Sequence, residues 1–353
     1  MARLILDDAL GLAQRENRQL YDARDIEQAF SQWKAIPYNQ KEKIGDVDFQ
    51  LDNAGHILGS SFVELWAEGK HILFTGDLGN IPSTLLPPPD AVDGIDHLII
   101  ESTYGGRTHE SSEERELKLE RVVEDAAARG GTLMIPAFAT ERTQDILHLL
   151  NEMVHFKRIP DIPMFVDSPL AIKVTEVYER YLDEYNADIQ KLLREHPNLF
   201  RFKKLHLTEY VEDSKRINDV PAPKVIMAGS GMMTGGRILH HARRYLSDPK
   251  SILLIIGYQS SGSLGRRLLD GAKTVRIFGE EVSVEAEIRK IGGFSAHADN
   301  PQLYAFVERM RGTLKKIFVV HGEAVQSTHL AQEFRDRLGI ATHTPTLHQE
   351  FEV

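Results

Sequence analysis

Residues 52–79 read DNAGHILGSSFVELWAEGKHILFTGDLG, and the rest of the chain is organised around this stretch. A glycine-flanked loop carries His56, an apolar run follows, and Asp77 ends the next predicted strand. Imidazole and carboxylate are the ligands that suit Zn²⁺ or a similar divalent ion. A lone histidine beside glycines is more often a hydrogen-bonded loop residue, so the metal interpretation depends on the rest of the chain.

Composition indicates an ordinary globular protein of about two domains at ~150 residues each. Lys and Arg number 42 against 52 Asp and Glu, a net charge of −10, which argues against non-specific coating of nucleic acid and leaves room for a local basic groove. The absence of cysteine excludes disulfides and thiolate ligands. No apolar run approaches the ~18 residues of a membrane span and no signal peptide is visible, so we expect a cytoplasmic, enzyme-like protein with no membrane partner.

Alternating strands and helices predict an α/β fold. An amphipathic helix over residues 2–16 and a helix with Asp22 as N-cap open the chain, and strands start near residue 46. Between about residues 107 and 291 short apolar strands alternate with helices, which favours an inserted, Rossmann-like parallel sheet. Residues 1–106 and 292–353 would then form one domain and residues 107–291 a second.

Polar residues recur where apolar strands end. Asp77, Glu101 and His321 each follow such a strand, and His297 lies in the loop GGFSAHAD. Because ligands of open α/β sheets bind beyond strand carboxyl ends, these residues together with His56 are candidate metal ligands or acid–base groups. The sequence HGE at His321 fits a turn equally well, with Glu323 capping the following helix.

A second group of loops could bind phosphate. The segment KVIMAGSGMMTGGRILHHARRYL reads as a strand, a glycine-rich turn and a helix, an arrangement whose amides and helix N-terminus favour an anion. The residues predicted to contact a phosphodiester backbone on one sheet edge are Ser230, Thr234, Gly235, Arg237, Thr140, Arg142, Ser168, Ser260 and Ser261. Tight turns and helix caps explain each residue singly. The spacing does not fit a dinucleotide fingerprint.

Eight segments in order carry a family resemblance: GHILGS, FTGDLG, ESTYGGR, PAFATERTQ, VDSPLA, SGMMTGGR, GFSAHAD and VVHGE. From about residue 3 to the end, the chain resembles the metallo-β-lactamase-fold nucleases that carry a β-CASP domain. Its pattern is most similar to the RNA-processing branch, which includes the endonuclease subunit of the cleavage and polyadenylation specificity factor and bacterial and archaeal homologues. The resemblance implies an αββα-type metallo-β-lactamase domain in the outer pieces and a β-CASP domain as the insertion.

The resemblance also implies roles. His56 and His321 match zinc ligands, and Asp77 matches the carboxylate that bridges two zinc ions. Glu101 matches an acidic residue near the metals, and His297 a histidine that helps to protonate the leaving oxygen. A histidine at position 321 points to single-stranded RNA as substrate, hydrolysed by water that two zinc ions activate. A homodimer or a homologous nuclease subunit is open as a further partner.

One departure from the family pattern is serious. The main metal-binding motif, His-x-His-x-Asp-His, is missing, since no two histidines of this chain are separated by one residue. We therefore expect an incomplete N-terminus of the metallo-β-lactamase domain, an incomplete zinc site, and impaired zinc binding and cleavage. The alternatives are a non-catalytic paralogue that binds RNA or a partner nuclease, and a hydrolase of small phosphodiesters or thioesters.

Overall fold

The computed structural model describes residues 1–15 and 18–352. The strands are β1 Lys41–Ile44, β2 Val47–Asn53, β3 Ser61–Ala67, β4 Lys70–Phe74, β5 His97–Ile100, β6 Thr132–Pro136, β7 Met164–Asp167, β8 Leu205–Leu207, β9 Lys224–Ala228, β10 Ile252–Ile255, β11 Thr274–Ile277, β12 Glu280–Ser283, β13 Glu287–Lys290, β14 Lys316–Val319 and β15 Ala341–His343. The helices are α1 Ala2–Arg15, α2 Ala23–Ser31, α3 Ser112–Arg129, α4 Arg142–His155, α5 Pro169–Tyr178, α6 Ala187–Glu195, α7 Val211–Arg216, α8 Ile238–Tyr245, α9 Leu264–Leu269, α10 Asn300–Arg309 and α11 Ala324–Glu333.

The predicted α/β class is confirmed, and the apolar strands lie where the sequence indicates them. Asp22 caps α2 by accepting the backbone N–H groups of Arg24 and Asp25, and the Asp25 side chain completes a capping box. Of the helix predicted over residues 2–16, Glu16 lies outside the described residues. The strands that sequence reasoning missed are β1, β8, β12, β13 and β15. Strands β1, β12, β13 and β15 are short and mostly polar, so they give no period-two apolar signal, and β8 (Leu-His-Leu) is only three residues long, too short for its alternation to be recognised.

The chain divides into two compact units. The parallel-sheet unit comprises Met1–Lys34, Glu110–Asp183 and Asp188–Ser295, and the mixed-sheet unit comprises Ala35–His109, Glu184–Ala187 and Ala296–Val353. The first 34 residues group with the parallel-sheet unit because α1 packs against α2 and α5, whereas the sequence-based division places them with the outer pieces. The assignment of residues 1–106 with 292–353 to one family domain, and of residues 107–291 to the other, stays a prediction.

The mixed-sheet unit is built on seven strands in the order β1-β2-β3-β4-β5-β14-β15. Strands β4, β5 and β14 pair in parallel. Strand β2 runs in the same direction as β4, because it is antiparallel to β3 and β3 is antiparallel to β4. The segments that follow β2, β4, β5 and β14 therefore start at the same edge of the sheet.

Two helices, α10 and α11, complete the core of this unit. Leu303 and Val307 of α10 and Leu330 of α11 are fully buried with Leu98 and Ile317 of the sheet. Burial of each such side chain stabilises the fold by about 1.5–3 kcal/mol. The positions of these helices follow from the apolar spacing, and the core fixes the strand ends that carry the candidate site.

The parallel-sheet unit has six strands, all parallel, in the order β13-β10-β6-β9-β7-β8. Every residue of β6 and β9 is buried, as expected for strands covered on both faces. A separate antiparallel hairpin, β11 and β12, packs beside α8 through buried apolar residues. Across the described residues, the helices are either too short or too polar to span a bilayer.

Candidate metal centre

The loop after β2 presents His56. Ser60 closes this loop by accepting the backbone N–H of His56 on its hydroxyl oxygen (3.1 Å) and that of Ala54 on its carbonyl (3.2 Å). The loop after β4 packs against it, where the N–H of Gly79 donates to the carbonyl of Ala54 at 2.8 Å. Only glycine fits at 79, since a Cβ there would lie 2.0 Å from the carbonyl oxygen of Gly55. The two loops that the sequence singled out are therefore one packed element.

The Asp77 carboxylate lies between two imidazoles. Its Oδ2 is 3.8 Å from Nε2 of His56, and its Oδ1 is 3.3 Å from Nε2 of His321. His321 has a left-handed backbone, with φ of +50°, and its carbonyl accepts the Thr103 hydroxyl at 3.2 Å. Such a conformation is uncommon outside glycine and concentrates at functional sites. Two histidines distant in sequence thus face the two oxygens of one carboxylate.

His297 reaches the same place from the loop before α10. Its backbone forms an antiparallel bridge with Gly79, and its ring centroid is 4.5 Å from that of His56. Nδ1 of His297 lies 3.0 Å from the buried carboxylate of Glu101, which also accepts the backbone N–H of Leu78 at 2.7 Å. With Nδ1–H donating to Glu101, Nε2 is the ring nitrogen that can bind a metal or carry a proton.

Zinc fits this set of donors. One ligand atom each from His56, Asp77 and His297 lies within 4.8 Å of the others, and in the described part of the chain this is the one group of three or more such residues. Tetrahedral bonds of about 2.0–2.2 Å place ligand atoms about 3.3–3.6 Å apart, close to the separations around Asp77. His321 adds a fourth donor, and a third nitrogen, beside the other oxygen of that carboxylate.

Two supporting residues escaped the sequence analysis. Asp299 caps α10 in a capping box with Gln302, and its Oδ2 also accepts the backbone N–H of His109 at 2.9 Å. The His109 ring nitrogen Nε2 lies 3.0 Å from the carbonyl oxygen of His297. The spacing Asp-x-x-Gln before an apolar run was a readable cap signal. Nothing local to His109 announces its contact with a residue almost two hundred positions later.

The candidate phosphate residues lie in the parallel-sheet unit, on the segments that follow β6, β7, β9 and β10. Those four strands are parallel neighbours, so their loops do start at one sheet edge. The two arginines are used inside the unit. Arg237 donates to the Asp167 carboxylate (2.7 Å) and to the carbonyls of Thr208 and Glu209, while buried Arg142 pairs with Asp145 (3.1 Å).

Two of the serines at that edge, Ser230 and Ser168, also have internal partners. The hydroxyl oxygen of Ser230 accepts the backbone N–H groups of Thr234 and Gly235, and that of Ser168 accepts the N–H of Ala171 at the start of α5. Ser168 therefore acts as the N-cap of α5, and Ser230 closes the loop that it begins. Contact of any of these residues with RNA stays a prediction.

Asp167 holds this edge together. Its side chain is fully buried and accepts from Arg237, from Nε2 of His241 (2.7 Å) and from the hydroxyls of Thr208 and Ser214. Burial alone would raise the pKa of Asp167, but the hydrogen bonds from His241, Ser214 and Arg237 outweigh it and hold that pKa at about 2. The carboxylate stays charged at neutral pH and orients the loop that begins at Ser230.

Two family models match the chain. The Beta-Casp domain matches residues 143–268, and the Zn-dependent metallo-hydrolase RNA specificity domain matches residues 281–345. Together with the two sheets and the histidine–carboxylate cluster, they define an α/β protein of the metal-dependent hydrolase class. The chain belongs to the β-CASP family of metallo-β-lactamase-fold nucleases, as the sequence resemblance implies.

Relatives of known name agree with this assignment. A ribonuclease of Thermus thermophilus is 35% identical over 92% of this chain and 73% of its own length. An RNase J-like protein of Methanocaldococcus jannaschii is 34% identical over 92% of this chain and 76% of its own length. The transcription termination factor FttA of Pyrococcus horikoshii is 33% identical over 94% of this chain and 53% of its own length.

Proposed function

We propose that the mixed-sheet unit carries a zinc site for hydrolysis of RNA phosphodiester bonds. The observation that carries this proposal is the convergence of His56, Asp77, His297 and His321 at one sheet edge. Contacts between imidazoles and a carboxylate that is 37% exposed add little stability to a fold, whereas a metal site needs that arrangement. The ribonuclease named among the relatives supports RNA as the substrate class.

His56, Asp77 and His321 would hold zinc, which when bound lowers the pKa of water and stabilises charge on a phosphoryl group. The residues of the chain supply orientation and proton transfer. Glu101 accepts Nδ1–H of His297 and stabilises the protonated ring, so a proton at Nε2 is available to a leaving oxygen. The closeness of His297 to His56 and Asp77 supports a ligand role for this ring as the alternative to proton donation.

This chain alone should bind zinc weakly and cleave poorly. Two-metal hydrolysis needs a fuller ligand shell than the three or four donors found here, and no His-x-His pair is available in the sequence to extend it. We infer that the 353-residue chain holds at most one zinc ion and turns over RNA slowly or not at all. RNA contacts at the edge of the parallel-sheet unit, including Ser230, Thr234 and Ser261, belong to the same proposal.

Calorimetric zinc titration of the purified chain, followed by incubation with end-labelled single-stranded RNA, tests both parts. We expect no more than one zinc ion per chain, RNA binding, and little cleavage. Two tightly bound zinc ions would overturn the proposed impairment. Metal-dependent cleavage of a small phosphodiester with none of RNA, and no RNA binding, would overturn RNA as substrate. The His56→Ala variant is the control for the metal, and it should lose zinc while it retains RNA.

A non-catalytic, RNA-binding role for this chain is the second candidate. The small donor set around Asp77 favours it, because RNA binding needs no metal. This role predicts that His56→Ala and His321→Ala reduce zinc binding but leave RNA binding, and the low level of RNA cleavage, unchanged. A fall in RNA cleavage by the wild-type chain on addition of a chelator would contradict it.

A further inference from the structure

A strained aromatic residue stands at the tip of the β11–β12 hairpin in the parallel-sheet unit. The two turn residues, Phe278 and Gly279, have φ of +52° and +82°, as a two-residue type I′ turn requires. Glycine accepts this conformation freely and asparagine well, whereas a bulky side chain makes it a backbone outlier. Local propensity therefore disfavours phenylalanine at this position, and another property of the ring must account for it.

Anchoring of the hairpin does not account for it. Val275, Ile277 and Val282 are buried against the core around α8, and they hold both strands. Phe278 lies outside that set and is 51% exposed. The ring covers part of α8 but keeps half of its surface in solvent.

The surroundings of the ring suit a nucleobase. His240 of α8 lies with its ring centroid 4.6 Å from that of Phe278, and the guanidinium carbon of Arg243 is 5.6 Å from the same centroid. Burial, then the nearby Arg243, lowers the pKa of His240, which favours its neutral ring. The pairing of Arg243 with Glu280 is exposed and 3.6 Å long, a contact worth little that a phosphate can replace.

We propose that Phe278 is a stacking platform for a base of single-stranded RNA and that Arg243 contacts the adjacent phosphate. This inference rests on RNA as the proposed ligand. Single-stranded nucleic acids bind where exposed aromatic rings alternate with cations, because every base has a π face and every linkage a charge. Helix α8 starts one residue beyond Arg237, so this platform continues the edge at which phosphate contacts are predicted.

The test measures affinity of the full chain for fluorescent single-stranded oligoadenylate by anisotropy. Phe278→Leu keeps the backbone conformation and the apolar character but removes the ring, and it should raise Kd by about 5- to 150-fold, the range for one stacked base. Phe278→Trp should restore binding. Phe156→Leu is the matched control, because Phe156 is 63% exposed in the same unit and packs on a histidine ring, and its change should leave Kd unaltered.

Two further readouts separate stacking from packing. Phe278→Asn fits the turn better, so its Tm should equal or exceed that of the wild type while its affinity falls as for Phe278→Leu. Arg243→Gln should reduce the slope of log K against log salt by about 0.7, the share of one phosphate on a single strand. A lower Tm in Phe278→Asn would assign the ring to packing and overturn the platform.

The outcomes also separate this inference from the proposed function. Wild-type binding that Phe278→Leu leaves unchanged would overturn the platform and leave the RNA proposal standing. Absence of any RNA binding by the wild-type chain, with normal zinc binding, would remove the basis of both. Equal weakening in Phe156→Leu would show that exposed rings act non-specifically, and it too would overturn the platform.

Discussion

Both units present polar side chains beyond the carboxyl ends of parallel strands, yet the two edges use them differently. In the parallel-sheet unit Asp167 is surrounded by donors, namely Arg237, His241, Thr208 and Ser214, and each contact is a fold-internal hydrogen bond. In the mixed-sheet unit the Asp77 oxygens lie 3.8 and 3.3 Å from imidazole nitrogens of His56 and His321, close to the separation of ligand atoms on one metal ion. A carboxylate at a strand end therefore indicates a binding site only when the groups around it could bind the same metal ion. When those groups are hydrogen-bond donors from the fold, the carboxylate has a structural role.

The largest effect should come from breaking the first arrangement. Asp167→Asn keeps the volume but leaves Arg237 and His241 without their buried carboxylate, and removal of one partner from such a pair costs about 3–5 kcal/mol. Urea unfolding of the full chain measures this loss. Because the folded pKa of about 2 lies below the unfolded value, the contribution is present above pH 4 and lost as pH falls toward 2. The loss of unfolding free energy between pH 4 and pH 2 should therefore be about 2 kcal/mol smaller in the variant than in the wild type.

Zinc affinity, unlike stability, should be unaffected by the Asp167→Asn change at neutral pH under conditions where the chain remains folded. A loss below 1 kcal/mol of stability together with a weaker zinc site would reverse the roles assigned to the two carboxylates.

The second prediction concerns Asp77→Asn. Loss of a ligand carboxylate should weaken zinc by more than about 100-fold, the upper range for an outer-shell partner, with little change in the free energy of unfolding. Competition with a fluorescent chelator gives the affinity. Asp46→Asn, an exposed aspartate of the same unit, is the matched control and should behave as wild type. Equal affinities in the two variants would refute the metal centre.

Most residues of the candidate metal centre could be predicted from the sequence, because the order of the strands brings them together. His56, Asp77, Glu101 and His321 each follow a strand that reads as an apolar run, and such strands were located within a few residues. Parallel pairing then brings their ends together. The place of His297 depends instead on its backbone bridge with Gly79, a contact between loops that no periodicity encodes.

The predicted phosphate contacts of Arg237 and Arg142 were harder to judge from sequence. Glycine-rich turns with arginine look alike whether the guanidinium faces an anion in solvent or a carboxylate within the fold. Asp167, seventy residues before Arg237, gives no local sign that it is the partner. Charge pairing across such separations is a property of the folded chain. The sequence therefore identifies these arginines as candidates but does not show how many of their N–H groups are already used inside the fold.

A third carboxylate, the buried Glu64, makes stability fall as pH rises from about 4.5 to about 7. Glu64 Oε2 is 2.6 Å from Nε2 of His71, whose Nδ1 lies 3.1 Å from the Gly94 carbonyl. Burial, then a hydrogen bond and the charge of Asp52, raises the pKa of Glu64 to about 7. Burial lowers the pKa of His71, so the buried environment favours the neutral form of both groups.

The sign for Glu64 is opposite to that for Asp167. An acid whose pKa is raised on folding stabilises fully below its unfolded pKa of about 4.5, and this stabilisation disappears as pH rises through 7. Glu64→Gln should match the wild type at pH 4.5 and exceed it by about 2 kcal/mol at pH 8, with solvent screening included. Urea midpoints across that range measure it. Exposed Glu68→Gln is the control, and parallel pH profiles for the wild type and Glu64→Gln would contradict the raised pKa.

The smallest effect sharpens the role of His297. In Glu101→Gln the amide oxygen can still accept the N–H of Leu78, but the NH₂ group then faces Nδ1 and favours the tautomer with hydrogen on Nε2. That tautomer cannot bind a metal through Nε2, so zinc affinity should fall by about 10- to 100-fold, as for other outer-shell changes. Chelator competition measures the fall, and Asp46→Asn is again the reference. Unchanged zinc affinity would remove His297 from the ligand set and leave it as the proton donor, since only a ligand nitrogen is sensitive to this tautomer in the absence of RNA.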